Sequence, residues 1–343
     1  LVVMSRLPAS RLHGLIGWCK LQIQADLNDT SRPQHGRFSI SVDGLRHDVL
    51  MSTIPVVGGE KMVLRIVPSV NSLPSFKDLG YSRDQATQLK QYVRDGAGLI
   101  VIAGDSNSDT STTLAALAAW AARQPHTDVT TIEQPVTYQI PGSNQIEVTT
   151  SLPFEEAISS AISQGPSTIV TSQLGTGRTA EQLIDFALTQ HLVITALYAT
   201  NTLSALTRIM SYPLAPALLA ASLRTVVVQH RIPTLCTNCR VHFTPTGPLK
   251  TALWKQFSFS DSTQIYRTGV GCDSCDRGNT GTVMLADMVP VNPELQQLLA
   301  TGADKQALLD YLDKDRAFAQ ELGKLASAGK ISIDEAGRLT ARQ

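Results

Sequence analysis

The hydrophobic pattern of the chain changes partway along its length. In the first part, apolar and polar residues alternate along 37–67, and Asp43-Gly44 separates two of the alternating runs. Alternation with period two is typical of half-buried strands, and Asp-Gly between such runs favours a hairpin. With a helix expected at 9–24, this pattern predicts a small α+β domain over residues 1–70. A linker containing Pro and Gly is predicted over 71–83.

After the linker, short apolar or β-branched runs alternate with helical patterns over residues 84–343. The strand-like runs are 99–103, 130–132, 167–171 and 192–197. The helical patterns are 83–94, 114–122, 154–162 and 179–188, followed within 290–343 by 292–299, 304–312 and 316–327. Strands that alternate with helices predict a mostly parallel sheet covered by helices. The expected fold class is therefore α/β, with a helical C-terminal part.

Composition does not favour nucleic acid or an anionic membrane surface as the main partner. The 343 residues include 29 Lys and Arg and 29 Asp and Glu, so the formal net charge is zero. The apolar stretch 214–228 is interrupted by Arg224, whereas a membrane-spanning helix needs about 20 apolar residues. A chain of this length suggests two or three domains.

Four of the five cysteines form two C-x-x-C pairs, Cys236 with Cys239 and Cys272 with Cys275. Two such turns complete a tetrahedral set of thiolates for a structural Zn²⁺, so a zinc-binding subdomain is predicted over 233–285. Two disulfides in a secreted protein or a redox-active C-x-x-C are the alternatives. Nothing else in the sequence indicates export, and neither pair opens a thioredoxin-like strand and helix.

The segment from Gly104 to Ser111 has the outline of a phosphate-binding loop between a strand and a helix. The pattern is G-x-x-x-x-G-K-[ST], in which helix N-terminal N–H groups and the Lys hold phosphate and the hydroxyl holds Mg²⁺. Here Asp109 stands at the second Gly and Thr110 at the Lys. The Asp109 carboxylate is expected to point into the anion-binding loop. Two unit charges about 4 Å apart interact by roughly 4 kcal/mol at an effective dielectric of about 20, so this disfavours nucleotide. An ordinary polar turn is the alternative.

Seven ordered motifs together resemble the hexameric ATPases that drive type II secretion and type IV pilus assembly. The similarity runs from Ile16 to Thr340. The segments that carry it are 33–38 (P-Q-[D]-G-R-[FI]), 52–65 (S-T-x-P and G-E-R-V-V-L-R), 104–113 (the phosphate loop), 131–139 (T-I-E-D-P-V-E-Y-Q), 169–173 (the Walker B strand), 189–201 (T-G-H-L-V and H-T-N) and 329–335 (G-x-T-[ST]-x-x-E). The two cysteine pairs fall where the pilus-extension and secretion branches of that family carry a zinc subdomain.

This resemblance implies a RecA-like parallel-sheet core and a PAS-like first domain. It also implies six subunits around a pore, a cytoplasmic location peripheral to the inner membrane, and contact with inner-membrane platform proteins. ATP and Mg²⁺ would be the ligands. The nucleotide-binding positions would be Gly104, Asp109, Thr110, Ser111, Thr112, Arg37 and Arg65, and the catalytic positions would be Glu133, Gln173 and His191.

The departures from the family motifs fall at positions that carry chemistry. Besides Asp109 and Thr110, Gln173 replaces the Walker B Glu, Tyr198 replaces a histidine, and an acidic-box Asp is Gln134. Glutamine cannot take up a proton or attract metal as a carboxylate does. The sequence therefore indicates an inactive, structural or regulatory subunit, in a homo-oligomer or beside an active homologue.

Two alternatives remain open at this point. One is a motor ATPase that uses divergent residues, and the other is nucleotide binding without turnover, with Arg178 or another chain's Arg in place of the Lys. The retained residues also have plain structural explanations: Arg37 and Arg65 on a solvated sheet face, His191 in the core, and Glu133 capping the turn at Pro135.

Overall fold

The computed structural model describes residues 5–67, 73, 75–149, 151–260, 262–314 and 316–340. The chain divides into two compact units, 1–73 and 74–343.

The first unit is one helix on a three-stranded antiparallel sheet in the order β1-β2-β3. Its elements are α1 (Ala9–Gln22), β1 (Gln34–Val42), β2 (Leu45–Val56) and β3 (Gly59–Val67). The β1–β2 hairpin turns at Asp43 and Gly44, whose φ values of 52° and 78° give the left-handed pair that a tight two-residue turn requires. The hairpin expected from Asp-Gly is therefore present.

The core of the first unit is small and includes an unusual buried charge. Cys19, Phe38, Val49 and Met51 form its apolar cluster. Lys20 is only 1% exposed, and its Nζ lies 2.8 Å from Glu60 Oε1 and donates to the Asp29 carbonyl at 2.9 Å. The buried ammonium is thus paired and hydrogen-bonded, as burial of a charge requires.

The second unit is built on a seven-stranded sheet in the order β12-β9-β4-β8-β7-β5-β6. The strands of this sheet are β4 (Gly98–Gly104), β5 (Val129–Glu133), β6 (Asn144–Glu147), β7 (Thr168–Thr171), β8 (Leu192–Tyr198), β9 (Leu223–Leu235) and β12 (Asn279–Pro290). The short strands β10 (Val241–Phe243) and β11 (Ile265–Arg267) form a separate two-stranded antiparallel sheet. The pairs from β9 to β6 are parallel, and β12 runs antiparallel to β9. The predicted α/β class with a mostly parallel sheet is confirmed.

Helices cover this sheet and form the C-terminal part. They are α2 (Arg83–Asp95), α3 (Thr110–Ala121), α4 (Phe154–Gln164), α5 (Arg178–Leu188), α6 (Thr202–Met210), α7 (Pro216–Ser222), α8 (Gly247–Phe257), α9 (Pro293–Ala300), α10 (Lys305–Leu312), α11 (Ala317–Ser327) and α12 (Ile333–Thr340). The large apolar cluster lies between the sheet and α4, α5, α6 and α9. A second cluster joins α8 to α11 and α12 through Phe257, Leu322 and Leu339.

Two boundaries differ from the sequence expectation for physical reasons. Helix α3 begins at Thr110 rather than at 114. The hydroxyls of Thr112 and Thr113 are buried and bond to Tyr138 and Gln229, so these polar residues form the first turn of the helix. Pro233, the first residue of the predicted zinc-binding subdomain, lies inside β9 and pairs with Thr282 of β12. Strand β4 pairs with β9 only as far as Gln229, so at Pro233 β9 has a neighbouring strand on one side only. The missing N–H of the proline therefore breaks no hydrogen bond to β4.

Candidate functional site

The loop that follows β4 lies at the carboxyl edge of the parallel strands. All seven residues of β4 are buried, and Gly104 pairs with Tyr198 at the end of β8. A cavity of about 550 Å³ opens at this edge, lined among others by Asp105, Thr110 and Gln173. The carboxyl edge of such a sheet is where ligand sites of doubly wound folds are found.

The backbone of Asp109 has the conformation that glycine adopts most easily. Its φ is 51° and ψ is 34°, in the left-handed region, where Asp and Asn are the best tolerated of the other residues. Asp109 precedes α3, yet its side chain accepts no capping hydrogen bond. The loop therefore keeps a glycine-like backbone at the position where the phosphate-loop pattern has its second Gly.

The Asp109 carboxylate does not point into the loop, so that expectation was wrong. Its Oδ2 lies 2.9 Å from Nη2 of Arg231, with both side chains about two-fifths exposed. Arg231 belongs to β9, two residues after Gln229, whose side chain accepts from Thr113 of α3. Because alternate residues of a strand share a face, Arg231 points to the same helix one step nearer the loop. This relation depends on β9 lying next to β4 in the sheet, so the sequence analysis did not find Arg231.

A second carboxylate, that of Asp105, accepts hydrogen bonds from the loop itself. Its Oδ1 accepts from the Asn107 N–H at 2.9 Å and from the Ser108 hydroxyl at 2.6 Å. The Ser108 hydroxyl in turn accepts from the Asp105 N–H at 3.1 Å. A Cβ on Gly104 would lie 2.6 Å from Ser108 Cβ, so Ser108 fills the space over the end of β4 and requires glycine there.

The three residues that open α3 point in different directions. Thr110 lines the cavity, whereas Ser111 is exposed and is not part of the cavity lining. Thr112 is buried, and its hydroxyl lies 3.0 Å from the Tyr138 hydroxyl. The cation of the loop pattern is thus absent from the cavity, and the charged side chains that line it are Asp105, Glu155 and Arg208.

Glu133 and Gln173 end two neighbouring strands but have different surroundings. Glu133 Oε1 accepts from the Thr131 hydroxyl at 2.8 Å and from Gln145 Nε2 at 3.2 Å. Gln173 follows β7, is exposed and lines the cavity beside Tyr198. The structure therefore brings Gln173 to the loop, while the Glu133 carboxylate accepts hydrogen bonds from β5 and the neighbouring strand β6.

His191 lies at the amino end of the parallel strands, opposite to the end at which the cavity opens. It precedes Leu192, the first residue of β8, and its carbonyl accepts from the N–H of Gly98 at the start of β4. Its ring stacks on Phe186 with centroids 4.2 Å apart, and Nδ1 lies 3.2 Å from the Thr189 hydroxyl. Within this chain, the full length of β8 separates His191 from the cavity.

Arg37 and Arg65 belong to the first unit and share one face of its sheet. Arg37 of β1 is opposite Leu50 of β2, and Leu50 is opposite Arg65 of β3. Directly opposite residues of a sheet point to the same face, so the two arginines flank one leucine.

The four paired cysteines converge as the sequence predicted. Their Sγ atoms all lie within 4.8 Å of one another, and the closest contacts are 3.8 Å (Cys236 to Cys272), 3.7 Å (Cys239 to Cys275) and 3.6 Å (Cys272 to Cys275). A tetrahedral zinc site with metal–sulfur bonds of about 2.3 Å has sulfur–sulfur edges of about 3.8 Å. The described cysteines are all free thiols, so no disulfide uses these sulfurs. The set fits Zn²⁺.

Local backbone prepares one of these sulfurs for metal. The Asn238 N–H and then the Cys239 N–H point at the Cys236 sulfur and lower the pKa of that thiol to about 7. Close packing also fixes the first knuckle, because a Cβ on Gly269 would lie 1.8 Å from the Cys239 carbonyl oxygen. Gly269 is thus a residue of the metal site that the cysteine spacing alone does not reveal.

The second unit thus combines a mostly parallel sheet, a glycine-started loop and helix at the carboxyl end of its strands, and a tetracysteine cluster. The chain belongs to the Type II/IV secretion system protein family, whose model matches residues 2–338.

Similar proteins come from both branches of this family. The putative type II secretion system protein E of Escherichia coli K12 is 30% identical over 95% of this chain and 66% of its own length. The type IV pilus assembly ATPase PilB of Thermus thermophilus is 28% identical over 87% of this chain and 34% of its own length. The chain therefore spans about two thirds of the first relative and one third of the second.

The fold is shared with a solved pilus motor. The structure of the pilus retraction motor PilT with bound ADP superposes with a TM-score of 0.65 at 20% identity, covering 90% of this chain and 78% of PilT. Among the described residues, no helix is both long and apolar enough to span a bilayer.

Proposed function

We propose that this chain is a catalytically inactive subunit of a type II secretion or type IV pilus machine, with a structural or regulatory role. The observation that carries the proposal is the charge of the loop and its cavity. Thr110 replaces the lysine, and the charged side chains of the cavity lining are two carboxylates and one guanidinium, Asp105, Glu155 and Arg208. A nucleoside triphosphate in this cavity would meet net negative charge, whereas phosphoryl transfer needs cations there.

The remaining groups also lack the chemistry of hydrolysis. Gln173 has no charge with which to favour metal or activate water, and the Glu133 oxygens already accept from Thr131 and Gln145. Removing one charge-stabilising group typically lowers a rate by about 10²–10³, so combined losses leave no turnover above background.

The proposed assembly follows the family. We infer a ring, six-membered in the homo-oligomeric case or mixed with an active homologue, at the cytoplasmic base of the machine and against inner-membrane platform proteins. Zn²⁺ is the proposed structural metal, held by the four paired cysteines.

A direct binding measurement tests the proposal. Calorimetry with Mg·ATP should give no saturable binding, with Kd weaker than about 1 mM, and phosphate release should equal that of buffer. Micromolar binding that disappears in Ser111→Ala would overturn it. As a positive control, the triple change Asp109→Gly, Thr110→Lys and Gln173→Glu should restore binding, because the loop backbone already has the required shape.

One observation favours a second candidate, an ATP-binding motor with divergent residues. Arg231 lies within 2.9 Å of a loop side chain, where a phosphate could replace the Asp109 carboxylate. This candidate requires phosphate release that falls in both Glu133→Gln and Arg231→Gln, while an exposed-site change such as Lys324→Gln leaves it unchanged.

A further inference from the structure

Two carboxylates of the loop after β4 already have partners within this chain. Asp105 Oδ1 accepts one loop N–H and one loop hydroxyl, from Asn107 and Ser108. Asp109 Oδ2 takes the guanidinium of Arg231 at 2.9 Å. A phosphate group in a loop of this kind is held by the same two types of partner, backbone N–H groups and a cation.

The arginine that pairs with Asp109 comes from the C-terminal half of the second unit. Arg231 lies on β9, which continues directly into Cys236. The loop is therefore joined by an ion pair to a strand that follows it by more than a hundred residues in the sequence.

We propose that Asp105 and Asp109 order the loop when no ligand is bound, Asp105 as a hydrogen-bond acceptor within the turn and Asp109 as the charge that pairs with Arg231. Arg231 is then a masked anion-binding residue. This inference concerns the ligand-free loop and does not depend on whether nucleotide binds with divergent residues, so it can fail while the proposed function stands.

The first experiment measures amide hydrogen exchange over residues 105–113 in the nucleotide-free full chain. Asp109→Asn is the most informative variant, because asparagine tolerates the left-handed backbone and lacks the carboxylate charge. An exposed ion pair contributes up to about 1 kcal/mol, so Asp109→Asn and Arg231→Gln should each speed exchange by about two- to five-fold, and the double variant should add nothing.

Asp105 has its own pair of variants. Asp105→Ala removes the acceptor and should speed exchange more, whereas Asp105→Asn keeps an oxygen that accepts from Asn107 and should stay near the wild type. Lys324→Gln, which breaks an exposed ion pair with Glu321 on α11, is the matched control and should leave the loop unchanged. Wild-type exchange as fast as in an unstructured peptide, or equal exchange in all variants, overturns the proposal.

The second experiment asks whether Arg231 is masked. With inorganic pyrophosphate as the probe, Asp109→Asn should bind about two- to five-fold more tightly than wild type, and adding Arg231→Gln should abolish the gain. Glu321→Gln, which removes an exposed lysine-paired carboxylate on α11, serves as control. Unchanged binding in Asp109→Asn, or a gain that survives Arg231→Gln, would show that Asp109 does not mask Arg231.

Discussion

Removing zinc should unfold the tetracysteine subdomain and leave the seven-stranded sheet folded. The sulfur contacts of 3.6–3.8 Å match the edges of a tetrahedral site, and no disulfide joins the two knuckles. Strands β10 and β11 pair over only three residues each. Structural zinc contributes about 10–16 kcal/mol in small metal domains, as much as the whole stability of an ordinary domain, about 5–15 kcal/mol.

The assay combines metal content with local protection. Freshly purified protein should contain one zinc per chain, and Cys236→Ser or Cys272→Ser should lose it and expose residues 240–271 to protease. Cys19→Ser is the matched control, because Cys19 is a buried free thiol of the first unit. Protein purified without chelator that holds no metal, or a Cys236→Ser variant that keeps full zinc, would refute the reasoning.

Two further predictions concern packing that the structure makes unusually tight. Glu60→Gln leaves the Lys20 ammonium buried without its partner and should lower the free energy of unfolding of the first unit by about 3–5 kcal/mol in urea titration, whereas replacing both residues by apolar ones should restore much of it. An unchanged free energy of unfolding in Glu60→Gln would contradict a buried ion pair between Lys20 and Glu60. Gly269→Ala should displace the Cys239 carbonyl and reduce zinc affinity by about 10-fold or more, while Gly14→Ala, where nothing lies within 4 Å of the new Cβ, should leave zinc content unchanged. Equal zinc content in the two alanine variants would show that the knuckle can shift.

Sequence pattern was sufficient where burial alone decides the structure. Strand β4 is apolar throughout and is buried at every residue, and the two C-x-x-C pairs carry their own geometry. The strand through Pro233 was not predictable from local propensity. Proline is tolerated there because β4 no longer pairs with this part of β9. The tertiary arrangement overrides the local preference.

The partners of the candidate site were the least predictable part. Arg231 reaches Asp109 because β9 lies next to β4, and no local sequence rule places strands that are more than a hundred residues apart side by side. His191 belongs to the same sequence motif as Tyr198, yet the two residues lie at opposite ends of β8. Motif membership therefore does not imply a shared cavity within one chain.

The backbone at Asp109 argues against the alternative of an ordinary polar turn. A helix that starts after such a turn usually has an N-cap residue in the extended region whose side chain caps the helix. Asp109 is left-handed, with φ of 51°, and caps nothing. That combination suits a glycine position at which the charge has changed and the backbone has not. The carboxylate at this position pairs with Arg231, so a glycine-like backbone carries a side chain that is neutralised from β9. The proposed recovery of phosphate binding in the triple variant with Asp109→Gly, Thr110→Lys and Gln173→Glu depends on this separation of loop shape from loop charge.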